Sequence, residues 1–221
     1  VAASLAIQWL RDSNYQHGLA VPVVSAFILW SRRAALGAAR REQASRAICR
    51  HLRESAAFHD AQRIALYWPV GEEADLRPLL AHERCVHKQL CLPVMQPDKR
   101  LRFARYRAGE ALHANWYGIP EPVHEAAQEI AATDIDLVCV PLLGFDRAGN
   151  RLGQGGGFYD RSFGFLLQGM AARPLLVGIG FACQELPALA REAWDVPLAA
   201  VVTEDGPIDC RERRIQRRNE R

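Results

Sequence analysis

Residues 141–161 read PLLGFDRAGNRLGQGGGFYDR, the composition of a loop able to hold an anion. Gly153, Gly155, Gly156 and Gly157 leave four of five successive positions without a Cβ. Backbone N–H groups there can approach a ligand closely and converge on it in nest conformations. Arg151 and Arg161 stand on either side, and a guanidinium can grip phosphate oxygens with two parallel hydrogen bonds. The same glycines would also make a plain tight turn between solvent-facing arginines, and on their own they leave the two readings even. Known phosphate motifs do not decide it. No Gly-Lys-Ser/Thr follows at P-loop spacing, and Phe158 stands where the dinucleotide motif needs its third glycine. Asp160 shifts the balance. A carboxylate just past a phosphate cradle repels the phosphate unless a cation lies between them, and Mg²⁺ commonly bridges carboxylates to phosphate oxygens. The alternative is a first-turn aspartate favoured by a helix dipole.

The elements around the loop indicate where it sits. It follows an apolar run, residues 135–140, and leads toward a helix from Phe158, which places it at the carboxyl end of a strand, where α/β folds bind ligands. Other β-rich runs are residues 64–68, 90–94, 102–106, 175–181 and 199–203. Helical stretches are expected at 76–87, opened by Asp75 and Pro78, at 123–132, from 158, and at 184–192. Between residues 31 and 57, Ala44, Ile48 and Leu52 recur at helical spacing among charged residues, an amphipathic surface helix. Strands alternating with helices predict a three-layer α/β/α fold with a largely parallel central sheet. The runs 136–140 and 175–179 are nearly all apolar, as strands covered on both faces are.

Composition narrows the function classes. A chain of 221 residues, 49% hydrophobic and 24% charged, holds one substantial core. The net charge of +3 owes much to the last eleven residues, where six arginines face two glutamates. No aromatic residue is interleaved there to stack on bases, so this end reads as a solvated tail and no nucleic-acid partner is expected. Residues 19–30 include Pro22 and are too short to span a hydrocarbon core of about 30 Å. They also lack the positive n-region of a signal peptide, so no membrane partner is expected. Six scattered cysteines read as free thiols in a reducing, cytoplasmic compartment. His82, Cys85, His87 and Cys91 lie close together but match no common zinc spacing, and three of the four are expected on a helix face or in the core. The expected organisation is an extension over residues 1–30, one domain over 31–205 and a basic tail over 206–221.

With these residues assembled, the chain resembles the 5-formyltetrahydrofolate cyclo-ligase family. The loop GFDRAGNRLGQGGGFYDR carries the resemblance, supported in order by IALYWPVGEEADLRPLL at 64–80, YGIPEP at 117–122 and WDVPLAAVVT at 194–203. The resemblance covers roughly residues 31–205. It implies a cytoplasmic, monomeric ligase of one-carbon metabolism. That enzyme uses ATP and Mg²⁺ to close 5-formyltetrahydrofolate, with or without a polyglutamate tail, to 5,10-methenyltetrahydrofolate. Arg151, Leu152, Gly153, Gln154, Gly155, Gly156, Gly157, Phe158 and Tyr159 would hold the ATP phosphates, the stretch from Gln154 to Phe158 also lining the folate site. Asp160 and Asp195 match magnesium ligands. Trp68 and Glu73 match positions that contact the reduced folate, and catalysis would rest on Arg151 and Glu73. One departure stands out: the family's amino-terminal, ATP-contacting lysine is missing, since no lysine precedes Lys88. Either Arg32 or Arg33 takes its place or the contact is lost, and with it turnover, leaving a non-catalytic nucleotide- or folate-binding protein of the same fold.

Overall fold

In the computed structural model, residues 36–169 and 173–210 are described. The expected extension over 1–30, the residues Arg32 and Arg33, and the arginine-rich end after Cys210 lie outside the described residues. Helix α1 (Ala38–Glu54) buries Ala44, Ser45, Ile48, Cys49 and Leu52, two interleaved i, i+4 rows that make one apolar stripe. Ser55 ends it and opens α2 (Ala56–Asp60), its hydroxyl donating to the Leu52 carbonyl and accepting the Phe58 N–H.

The strands follow as β1 (Arg63–Ala65), β2 (Gln89–Met95), β3 (Leu101–Arg105), β4 (Leu112–Ala114), β5 (Pro120–Pro122), β6 (Leu137–Pro141), β7 (Gly144–Phe145) and β8 (Arg151–Leu152). Helix α3 (Phe158–Phe163), β9 (Leu175–Ile179), β10 (Ala200–Thr203) and β11 (Gly206–Asp209) complete the set. Seven strands form one sheet in the order β11-β10-β9-β6-β1-β2-β3, while β4 with β5 and β7 with β8 form separate hairpins. The five inner strands are parallel, and β3 and β11 close the edges antiparallel.

Alternate residues of the inner strands feed two cores. Leu137 and Cys139 face Ile48, Leu52 and Phe58 of the α1–α2 layer. Val138 and Val140 face Phe145, Phe163 and Leu198 on the opposite side. The result is the three-layer α/β/α fold with a largely parallel sheet that the alternating pattern predicts. From β1 the chain turns outward to β2, then returns to lay β6 on the other flank of β1. The carboxyl ends of β1 and β6 therefore border the crevice at the topological switch point, where open α/β sheets bind ligands.

Several expected helices give way to tighter structure. Residues 76–87 form two 3₁₀ turns, Arg77–Ala81 and Glu83–Cys85, because Pro78 contributes no N–H and His82 is extended. Within 123–132 only Ala126–Gln128 turns, and Ile130 instead exchanges both backbone hydrogen bonds with Phe103. The stretch 184–192 is not helical; the turn Ala182–Gln184 precedes it, and the Leu186 N–H is drawn to the Phe145 carbonyl. The boundary after residue 205 falls inside the β10–β11 hairpin, so folded structure continues through Asp209. Five cysteines are buried and Cys183 is half-buried, and desolvation pushes the Cys91 thiol up to about 12. Cys85 lies buried in its turn and Cys91 inside β2. Among the described residues no helix is long and apolar enough to cross a membrane.

Candidate active site

The chain leaves β6 not straight into a helix, as its glycines suggested, but through the β7–β8 hairpin. Asp146 holds that hairpin from within. It is 2% exposed; its Oδ1 accepts the N–H groups of Ala148 and Asn150, and its Oδ2 accepts the Asn150 side-chain amide and the Leu189 N–H, all at 2.8–3.0 Å. Gly149 completes the turn at φ +86°, where a Cβ would lie 2.5 Å from the Leu198 carbonyl. Only glycine fits there.

The hairpin delivers Arg151 to the site with its side chain 8% exposed. Nη2 donates to Asp160 Oδ1 at 2.6 Å, and Nη1 donates to the Val196 carbonyl. The Val196 N–H donates to the same Asp160 oxygen at 2.9 Å. Between these two residues run the glycines, Gly155 at φ +83° and Gly157 at φ +65°. The Gly156 carbonyl accepts from Arg161 at 2.6 Å. Helix α3 is only six residues long before it tightens into the 3₁₀ segment Gly164–Gln168, so its dipole adds little.

The second half of the site comes from the loop after β1. Glu73 Oε2 accepts the Val70 N–H at 3.0 Å, and Glu73 Oε1 accepts from the side-chain amide of Gln154 at 2.9 Å. Two expected site residues 81 positions apart thus meet across the switch point. Buried Tyr67 steadies this loop by donating to the Ala74 carbonyl at 2.7 Å. Trp68 meets Tyr106 edge-on at 6.1 Å, and the Arg77 guanidinium lies 5.4 Å from its ring centroid, locked by two bonds to Asp75.

Asp195 closes the turn it begins to leave, its Oδ2 accepting the Glu192 N–H at 2.8 Å. It adjoins Val196, which bonds Asp160. Each of these carboxylates uses one oxygen, and among the described residues Asp160 Oδ2 and Asp195 Oδ1 meet no protein donor. Two such oxygens beside the glycine-rich loop are of the donor type magnesium accepts, since that ion takes one or two carboxylates and completes its octahedron with other oxygens, although no group of three or more metal-binding side chains occurs among the described residues.

Tyr159 stacks on Phe163 at 6.4 Å. Desolvation, with the Glu73 carboxylate adding, pushes its phenol and that of Tyr67 well above the ordinary tyrosine value. Both therefore stabilise the fold in their protonated form. That contribution is whole below pH about 10, the unfolded tyrosine value, and drains as pH climbs above it. In an alkaline titration, phenolate absorbance should rise in a late step that coincides with loss of far-ultraviolet circular dichroism. A smooth rise of all phenols in the folded protein would contradict this placement.

The structure thus joins Arg151, Asp160, Gln154 and Glu73, sets Asp195 at their margin, and puts Trp68 on the Glu73 loop. Sequence reasoning missed Tyr117, which meets Phe158 edge-on at 6.1 Å; its place in the YGIPEP run was the only signal. It also missed the anchoring role of Asp146, hinted at by an aspartate four residues before Asn150 in a turn-rich stretch.

Known proteins resemble this chain in sequence and fold. A family model for the 5-formyltetrahydrofolate cyclo-ligase family matches residues 27–204. The 5-formyltetrahydrofolate cyclo-ligase of Haemophilus influenzae is 34% identical over 169 residues, spanning 75% of this chain and 88% of that protein. The NMR structure of Aquifex aeolicus 5,10-methenyltetrahydrofolate synthetase superposes with a TM-score of 0.73 at 30% identity, covering 86% of this chain and 93% of that one. A 5,10-methenyltetrahydrofolate synthetase from Mycoplasma pneumoniae, at TM-score 0.62 and 21% identity over 83% of this chain and 98% of that one, shares the fold. Matched by that family model over residues 27–204 and 34% identical to a relative across most of both chains, the chain belongs to the 5-formyltetrahydrofolate cyclo-ligase family.

Proposed function

We propose that this chain closes 5-formyltetrahydrofolate to 5,10-methenyltetrahydrofolate while converting ATP to ADP and phosphate. The contact between Glu73 and Gln154 carries the reading, because it joins the carboxylate expected on the folate to the loop expected on the phosphates. A formamide oxygen is a poor leaving group, so attack by the neighbouring N10 amine stalls. Transfer of the ATP γ-phosphate to that oxygen gives an iminophosphate and ADP; N10 attacks its carbon and gives up its proton, phosphate departs with the former formyl oxygen, and the methenyl bridge remains. Phosphoryl transfer asks a protein chiefly for positioning and charge stabilisation.

Arg151 and the amides of residues 153–157 stabilise the transferring phosphoryl group, as preorganised donors do. Glu73 accepts from the donor-rich pterin edge, while Trp68 and Phe158 hold the folate so that its formyl oxygen faces the γ-phosphate. Asp160 and Asp195 would hold Mg²⁺, which would supply positive charge to offset that of the phosphates. The same reading has the protein acting as a monomer in a reducing, cytoplasmic compartment that keeps its six thiols free, on substrate with or without a polyglutamate tail.

The test follows absorbance of the methenyl product on mixing protein, (6S)-5-formyltetrahydrofolate, ATP and Mg²⁺, with Asp160→Asn as control. Growth that needs both ATP and Mg²⁺ and fades in the variant is the expected result. A flat trace from folded, ATP-binding protein would sink the proposal and leave a non-catalytic binder.

A further inference from the structure

The β4–β5 hairpin stands apart from the main sheet, its strands pairing only with each other. A groove of about 360 Å³, lined by Val94, Met95, His113 and Trp116, separates part of it from β2. Trp116, at its turn, is 71% exposed. Besides apolar packing of Leu112 against the core, a polar connection ties the hairpin to the main sheet.

That connection is Glu121. Its side chain is 7% exposed, and Oε1 accepts both the Met95 N–H of β2 at 2.9 Å and the Asn115 side-chain amide at 2.7 Å. Asn115 turns its other end inward: Oδ1 accepts the N–H groups of Tyr117 at 2.9 Å and Ile119 at 3.0 Å. Its own backbone pairs with Ile119 and Gly118, so one asparagine shapes the whole turn. Tyr117 projects from that turn onto Phe158 at 6.1 Å and 90°. The Phe158 ring in turn lies 2.7 Å from where a Cβ on Gly156 would be. A continuous run of contacts thus leads from the sheet to the glycine loop.

We infer that Glu121 is a positioning residue of the active site: acting through Asn115, it fixes where Tyr117 stands against Phe158 and so sets one wall of the folate subsite. This rests on the proposed function. A purely structural role would be served as well by an apolar side chain, which avoids burying a carboxylate. Glutamate instead satisfies two donors from different elements with a single oxygen, which fixes geometry as well as contact.

The experiment compares Michaelis constants for the formylated folate and for ATP. In Glu121→Leu the constant for the folate should rise about tenfold while that for ATP stays within about twofold, since misplacement by an ångström is felt only at the wall that moves. Glu121→Gln, whose amide oxygen still accepts both donors, should remain within about twofold of wild type. Asn115→Ala, in the half-exposed turn and not dependent on a core change, should reproduce the rise. The double variant Glu121→Leu/Asn115→Ala should be no worse than the worse single one, because the two act as a unit. Unchanged folate constants in both folded variants, or multiplied effects in the double variant, would overturn the inference. If wild-type protein shows no turnover, the proposed function fails by itself. The inference is then read from calorimetric dissociation constants for the reduced folate in the same variants, and absence of any binding by wild type overturns both.

Discussion

Arg151→Ala is expected to lose at least about a thousandfold in kcat/KM and about 3 kcal/mol of stability. The two losses have different origins. Turnover falls because the guanidinium is a cation that the β7–β8 hairpin places beside the glycine loop. Stability falls because Asp160, 23% exposed, loses the Nη2 donor 2.6 Å from its Oδ1 and keeps only the Val196 N–H on that oxygen. A carboxylate so placed is an uncompensated, mostly buried charge. Because Asp160 keeps partial access to water, the penalty belongs at the lower end of the usual range. Thermal unfolding should therefore move down by about 6–12 °C for a chain of this size. Arg151→Lys should recover little activity, since one ammonium cannot reach both Asp160 Oδ1 and the Val196 carbonyl with a planar fork. The informative partner is the double variant Arg151→Met/Asp160→Asn. It should regain much of the lost stability, the orphaned charge being gone, and none of the turnover. Recovery of neither would mean that the hairpin itself had collapsed.

Asp146→Ala should cost about 3 kcal/mol, seen as a lower urea midpoint with an unchanged slope. Four donors converge on this 2%-exposed carboxylate, and alanine leaves them facing a void. Asp146→Asn should recover only part of the loss. Its amide oxygen can still accept from Ala148 and Asn150, but its NH₂ group then points at the Leu189 N–H and the Asn150 amide, donor against donor. Because Asn150 leads into Arg151, kcat should fall in both variants, more in the alanine one. An Asp146→Ala protein with wild-type midpoint and turnover would show that the hairpin is held by other contacts.

How much of this was readable beforehand differs by residue. The strand runs near 64, 90, 137, 175 and 200 were legible because buried parallel strands leave nearly unbroken apolar runs, the antiparallel edge strand near 102 because apolar residues alternate with arginine, and α1 because its stripe repeats every four residues. The helix expected at 76–87 failed for a local reason, Pro78 and the extended His82, while those at 123–132 and 184–192 failed because tertiary partners overrule local propensity: Ile130 by Phe103, Leu186 by Phe145. The β7–β8 hairpin has strands of two residues, too short for any periodicity to register. At the site, residue types spoke and pairings did not. Arg151 and Asp160 were read separately, as a phosphate and a metal residue, yet here they neutralise each other. The meeting of Glu73 with Gln154 depends on β1 and β6 becoming neighbours, a fact of topology that spacing does not encode.

The position of β6 has a consequence for motion. Leu137, Val138, Cys139 and Val140 are wholly buried between both cores, and the loop carrying Arg151 springs directly from that strand. Segments so enclosed open only with free energies near that of global unfolding, so amide exchange there should be the slowest in the molecule. The β4–β5 hairpin, bonded in ladder fashion only to itself, should exchange sooner than β6. The glycine loop thus hangs from the most enclosed strand of the sheet, so a ligand that settles on it meets a template that gives way only when the molecule as a whole does.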